Sequence, residues 1–291
     1  MWNLKLLLLG LPFALAACTA TGDPIEGKPV YTDDGGGSAK PGSKNSSSSQ
    51  RSDVDPVVLG KFDWVKIPSS TITRGVSAFG VNSFSIATTE VTQEIYESVM
   101  GNLPKQHKEG GKRAVSNVNW FYAALFCNAY SKLAGLDTAY VYKSITSDSA
   151  LVGLKIDYSV ASVRLPTENE WEIAAHGGTT TTYYWDTDVA SKYAYYGQST
   201  GPDEVAKKLP NAFGLYDMAG NVAEWVNDWY DVYPKKKSDN YSGPSDGDYR
   251  VVRGGGWSDK VSDIAPKERE KLDPVTSKAT LGFRLVYSTG F

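Results

Sequence analysis

The chain has 291 residues and sets 30 Lys and Arg against 33 Asp and Glu, a formal charge of −3 that argues against nucleic-acid binding by bulk attraction. At 41% hydrophobic, 12% aromatic and 22% charged it is composed as a folded globular protein, rich in Tyr (18) and Trp (8). Two cysteines, Cys18 and Cys127, and two histidines, His107 and His176, leave no material for a disulfide framework, a four-thiolate zinc site or a three-histidine metal centre.

Residues 1–17 read as an export signal: one early cation at Lys5, then an apolar run from Leu6 to Ala16 that is too short to span a bilayer. Leu15-Ala16-Ala17-Cys18 resembles the lipobox of bacterial lipoproteins, in which the cysteine is acylated and becomes the mature N-terminus. Cys18 is therefore the expected lipidation site, with a membrane as its partner; the alternative is an ordinary cleaved signal with an incidental cysteine. Thr19 stands where an inner-membrane retention signal has Asp, so by the same resemblance the expected location is the outer membrane of the cell envelope. Residues 18–54 carry Gly35-Gly36-Gly37, Ser46 to Ser49 and scattered prolines, with almost no apolar periodicity. Such a segment buries too little surface to offset its chain entropy and is expected to be a disordered tether. Its root-mean-square reach is roughly 30–36 Å for about 36 residues.

Residues 55–291 are of a size for one domain and read as α+β, with three helices, many short aromatic strands and no internal repeat. The first helix follows Thr92 as N-cap, carries Ile95, Tyr96, Val99 and Met100 on one stripe, and ends at Gly101. The second runs from about Asn119 to Leu133, burying Trp120, Ala123, Ala124, Cys127 and Tyr130, with Gly135 as a left-handed stop. Cys127 is thus expected as a core residue rather than a nucleophile. Thr167-Glu168-Asn169-Glu170 after Pro166 predicts a capping box for the third helix, which Gly177-Gly178 closes.

In that helix His176 suits the last carbonyls, and Glu168, Glu170 and Glu172 suit the dipole and the cap, unless the fold turns Glu172 inward. Further along, Asp217, Glu224, Asn227 and Asp228 lie within a dozen residues among Gly220, Trp225 and Trp229. Such oxygen donors suit a hard cation such as Ca²⁺, although the spacing of an EF-hand loop is absent; a solvated acidic loop is the plain alternative. The Lys235-Lys236-Lys237 run reads as a solvated tip.

Several strings point to one family: Glu90-Val91-Thr92, Arg164-Leu165-Pro166-Thr167-Glu168-Asn169-Glu170-Trp171-Glu172, the run Asn211-Ala212-Phe213-Gly214-Leu215-Tyr216-Asp217-Met218 continuing to Trp225, Arg253-Gly254-Gly255-Gly256-Trp257, and Gly282-Phe283-Arg284. In this order they resemble the sulfatase-modifying factor family, relatives of formylglycine-generating enzyme. The resemblance implies an irregular C-type-lectin-like fold of low regular secondary structure with structural Ca²⁺. Carried over residue by residue, it implies metal ligands at Asp217, Gly220, Val222 and Glu224, and a second calcium site near Tyr193 to Asp203 without nameable ligands. The family's oxidases hold copper with two cysteines after the glycine string. Here residues 257–269 contain none, and a Cu(I) site needs soft ligands, so no copper is expected.

Three functions follow as expectations. The first is a non-catalytic envelope lipoprotein acting as a binding or scaffolding module for an envelope protein. The second is an oxidative maturation enzyme of different chemistry, for which Arg269, Arg284, Glu172 and Asp259 are the first residues to consider. The third is a glycan-binding module that stacks sugars on its clustered aromatics, although the sugar-binding lectin signature is missing.

Overall fold

A computed structural model describes residues 60–185 and 189–291. The expected signal, lipidation site Cys18 and tether lie outside these residues. In chain order the elements are β1 (Trp64–Ile67), β2 (Ser70–Arg74), β3 (Ser77–Val81), β4 (Phe84–Ala87), α1 (Gln93–Met100) and α2 (Trp120–Leu133). The short strands β5 (Tyr140–Val141), β6 (Ser144–Ile145), β7 (Leu151–Val152), β8 (Lys155–Ile156) and β9 (Ser162–Arg164) follow, then α3 (Glu168–His176). The last third carries β10 (Ala223–Trp229), β11 (Lys237–Asp239), β12 (Arg250–Arg253), β13 (Glu270–Leu272), β14 (Leu281–Gly282) and β15 (Val286–Ser288).

The three helices begin and end where their caps dictate. Thr92 accepts from the Ile95 N–H and Asn119 from the Tyr122 N–H, while Thr167 and Glu170 form both halves of the capping box. Gly101 and Gly177 close α1 and α3 in the left-handed conformation that glycine adopts without steric cost.

One sheet runs β1-β4-β15-β9, all antiparallel, so the last strand closes against the first part of the domain. A second runs β13-β12-β10-β14, with β10 parallel to β14 and antiparallel to β12. A third runs β11-β3-β2; Lys237 therefore opens a strand, and the expected tip is in part sheet.

Strand β10 is buried on both faces. Ala223 and Trp225 pack into one core with α1 and α2, whereas Val226 packs into a second core with Trp171, Ala174 and Ala175 of α3. Indole N–H groups tie the layers together: Trp120 donates to the Val226 carbonyl and Trp225 to the Val118 carbonyl, each at 2.9 Å. Residues 224–228, which the alternative reading puts on a solvated acidic loop, thus lie inside a central strand, where every charge needs a partner.

Candidate functional site

The turn that leads into β10 brings acid into the core. Asp217 and Gly220 take left-handed backbone, with φ of 57° and 83°. A Cβ on Gly220 would run into the backbone of Tyr195, so this passage admits only glycine. Glu224, 1% exposed, faces Arg284, which is fully buried. Arg284 Nε lies 2.9 and 2.8 Å from the two carboxylate oxygens, and Nη2 donates to Oε1 at 2.7 Å. Trp171 Nε1 donates to Glu224 Oε2 at 2.7 Å. Arg284 also donates to the carbonyls of Ala87 and Tyr216.

Two more carboxylates share this centre. Asp217 Oδ2 accepts from the Ala206 N–H at 2.7 Å, and Glu90 Oε1 accepts from the Val222 N–H at 3.3 Å. Glu90 Oε2 is buried without a partner. Burial, reinforced by Asp217, holds the Glu90 carboxyl well above the usual carboxylate range. Burial likewise pushes Asp217 up to about 6, against the pull of its Ala206 hydrogen bond and of Arg284. Three carboxylates therefore stand against one guanidinium.

The oxygen donors, the surplus of negative charge and the orphaned Glu90 oxygen fit a hard cation such as Ca²⁺. Among the described residues no group of three His, Cys, Asp or Glu side chains converges on a metal position. Side chains alone do not complete a cage, so an ion here would also need backbone oxygens. Asp217, Gly220, Val222 and Glu224 are the residues that would hold the ion, and it would brace the turn rather than supply reaction chemistry. Sequence reasoning missed Glu90 and the pairing of Arg284 with Glu224. The available signal was that a glutamate within an apolar strand needs a cation.

Asn227 and Asp228 do not join this centre. Asn227 donates to the Leu165 carbonyl at 3.0 Å and accepts from the Tyr140 hydroxyl at 2.7 Å, and Asp228 accepts from the Glu168 N–H at 2.8 Å. Their work is to hold the start of α3.

The acidic side chains of α3 are buried ion-pair partners, and Glu172 does turn inward. Glu170 pairs bidentately with Arg164, both contacts at 2.7 Å. Glu168 takes Arg253 and Arg269, and Glu172 takes Arg74 and Arg253. Burial works against the Glu172 charge, but Arg253 and Arg74 hold its carboxyl below the usual range. This network borders a cleft of about 320 Å³ lined by Arg253, Asp259, Asp263, Glu268 and Arg269. Of the four residues considered for an alternative chemistry, Asp259 and Arg269 line that cleft, Glu172 sits in the ion-pair network and Arg284 belongs to the centre around Glu224. The structure does not bring the four together.

Asp259 Oδ2 accepts the Gly256 N–H at 2.8 Å, so its carboxylate braces the glycine turn. Cys127 is fully buried in α2, and burial pushes its thiol far up. The clustered aromatics satisfy one another: Trp185 stacks between Tyr183, at 4.6 Å between ring centres, and Tyr193, at 5.8 Å.

Comparison with known proteins identifies the family. The family model of the sulfatase-modifying factor enzyme 1-like domain matches residues 60–289. Serine/threonine-protein kinase Pkn1 of Chlamydia pneumoniae is 41% identical over 125 residues, 42% of this chain, and the match spans only 20% of that relative's own length. Chaperone protein LppX of Paenibacillus barcinonensis is 28% identical over 237 residues, 72% of this chain and 81% of the relative. The solved structure of Treponema denticola variable protein 1 superposes with a TM-score of 0.72 at 34% identity, covering 78% of this chain and 95% of its own. The chain belongs to the sulfatase-modifying factor enzyme 1-like family, and its α+β body has the irregular C-type-lectin-like fold of the formylglycine-generating enzyme type.

Proposed function

We propose that the chain is a cell-envelope lipoprotein, anchored through Cys18 to the outer membrane, whose folded domain binds an envelope protein without oxidase chemistry and is braced by structural Ca²⁺. The observation that carries the reading is the content of residues 257–269, where the family's copper-binding cysteines belong and this chain has none. Asp259 stands in that segment, and its carboxylate braces the Gly256 N–H; hard carboxylate oxygen is a poor ligand for Cu(I). Cys127 cannot substitute, since it is sealed in a helix with its thiol held protonated. A relative that matches over most of both chains is named a chaperone. That role requires binding polypeptide and needs no cysteine pair.

The test is an oxidase assay on the purified protein with Cu(I), O₂ and a peptide bearing Cys-x-Pro-x-Arg. The mass at the peptide cysteine is expected to stay unchanged, and conversion to formylglycine overturns the non-catalytic reading. In cells, Cys18→Ser is expected to move the protein from the membrane to the soluble fraction; a variant that stays with the membrane removes the lipid anchor from the proposal.

A further inference from the structure

Strand β2 ends its sheet with an edge whose backbone groups can be assigned one by one. In β3 the Ala78 N–H donates to the Lys236 carbonyl, and the Gly80 carbonyl accepts from the Asn240 N–H. Residues 78 and 80 thus turn their backbone groups to β11, and residues 77, 79 and 81 turn theirs to β2. The register pairs Ser77, Phe79 and Val81 with Arg74, Ile72 and Ser70. The N–H and C=O of Thr71 and Thr73 therefore point away from the sheet, and no backbone partner among the described residues takes them.

That edge forms one wall of a groove of about 440 Å³; the other wall carries Glu172, Ile173 and His176 of α3 with Thr179 and Phe213. Free edges are normally guarded by charge, proline or a bulge; the one charge of β2 is Arg74 at its end, which α3 ties down, and Ser70-Thr71-Ile72-Thr73 before it carries none while being rich in strand-forming β-branched residues. Arg74 reaches Asn169 and Glu172 of α3, each at 2.7 Å. Ser70, Ile72 and Arg74 consequently face α3, and Thr71 and Thr73 face solvent, as their alternating burial requires. On the α3 wall His176 Nδ1 is buried without a hydrogen-bond partner.

We propose that this groove binds a single extended segment of a partner polypeptide by strand addition. The segment hydrogen-bonds to the outward backbone groups of Thr71 and Thr73 and lays every second side chain, an apolar one, toward Ile173 and Phe213. Its sequence is thus alternating, apolar toward α3 and polar toward water. The α3 residues and residues 178–180 that line the groove beside the edge give the segment a surface for its inward side chains. The inference rests on the reading of the domain as a polypeptide-binding module and names how that binding is done.

The experiment follows hydrogen exchange of the Thr71 and Thr73 amides in the full chain carrying Cys18→Ser. The probe is the capped octapeptide Lys-Val-Thr-Val-Thr-Val-Thr-Lys at millimolar concentration. Both amides are expected to exchange freely without peptide and at least about fivefold more slowly with it, while the Ile72 amide is protected throughout. Thr71→Pro removes an outward N–H and no ladder bond, and is expected to weaken binding at least about tenfold. The same peptide N-methylated along one edge is expected to lose binding and along the other to keep it, a measurement that does not depend on the variant folding. Absence of slowing at Thr71 and Thr73, equal binding of both methylated peptides, or protection at the Arg253 and Arg269 cleft instead each overturns the inference. A folded Thr71→Pro protein that still captures its envelope partner overturns strand addition alone and leaves the binding-module reading standing.

Discussion

Asp228 and Arg250 are an acid and a base buried in the same layer of core, yet no hydrogen bond joins them. Arg250 is clamped between the rings of Trp120 at 3.8 Å and Trp229 at 3.4 Å, donates to the Asn227 carbonyl, and is lowered by burial to about 10. Asp228 serves the first N–H of α3 instead, and burial together with the Glu168 carboxylate pushes it up to about 8, with Glu170 acting the same way and Arg250 opposing. An unfolded aspartate titrates near about 3.9. The folded state thus binds this proton more tightly than the unfolded one, so the stabilisation is full below about pH 4 and is lost as pH rises toward about 8. Asp228→Asn keeps an acceptor oxygen for the Glu168 N–H and has nothing to ionise. Urea unfolding is expected to show the variant close to wild type at about pH 4 and gaining on it steadily up to about pH 8, above which the gain levels off. A difference that does not change with pH shows that Asp228 stays ionised in the fold.

At the scale of an element, α3 combines local and long-range demands. Its cap is local: Thr167 and Glu170 bond each other's backbone three residues apart. The ion pairs of Glu168 and Glu172 are not, because Arg74, Arg253 and Arg269 arrive from three distant segments. Thr167→Ala removes one capping bond and is expected to cost about 1 kcal/mol. Glu170→Ala also strips the partner from Arg164, whose side chain is 1% exposed, and is expected to cost about 3–5 kcal/mol. Equal losses in the two variants, measured by chemical denaturation, contradict a buried and mutually dependent pair. The same division explains what could be read without coordinates. Helix starts and stops were legible because Thr92, Asn119, Thr167, Gly101 and Gly177 act on their own neighbours. The inward turn of Glu172 and the burial of 224–228 in a strand were not, because both depend on which distant arginine the tertiary fold delivers. Asp217 and Glu224 were brought together by family resemblance, and Glu90, more than a hundred residues earlier in sequence, needed the fold.

Across the whole molecule the centre at Glu224 joins what the sequence keeps apart: Glu90 before α1, Asp217 in the turn before β10, and Arg284 between the last two strands. One guanidinium does not balance three buried carboxylates, and the alternatives are retained protons or a bound cation. With Ca²⁺ at about a hundred times its dissociation constant the folded state gains about 2.7 kcal/mol. For a domain of this size that corresponds to a melting temperature higher by about 5–10 °C. Excess EGTA is therefore expected to lower Tm by that amount, and millimolar Ca²⁺ to restore it, while Mg²⁺ restores little because it demands a small octahedral cage. The discriminating variant is Asp217→Ala rather than Glu224→Ala, since losing Glu224 leaves Arg284 buried without its carboxylate and lowers Tm for that reason alone. In Asp217→Ala the difference between EGTA and Ca²⁺ is expected to shrink to near zero. If the wild-type Tm is the same with EGTA and with Ca²⁺, the centre keeps its protons and Arg284 is its only cation.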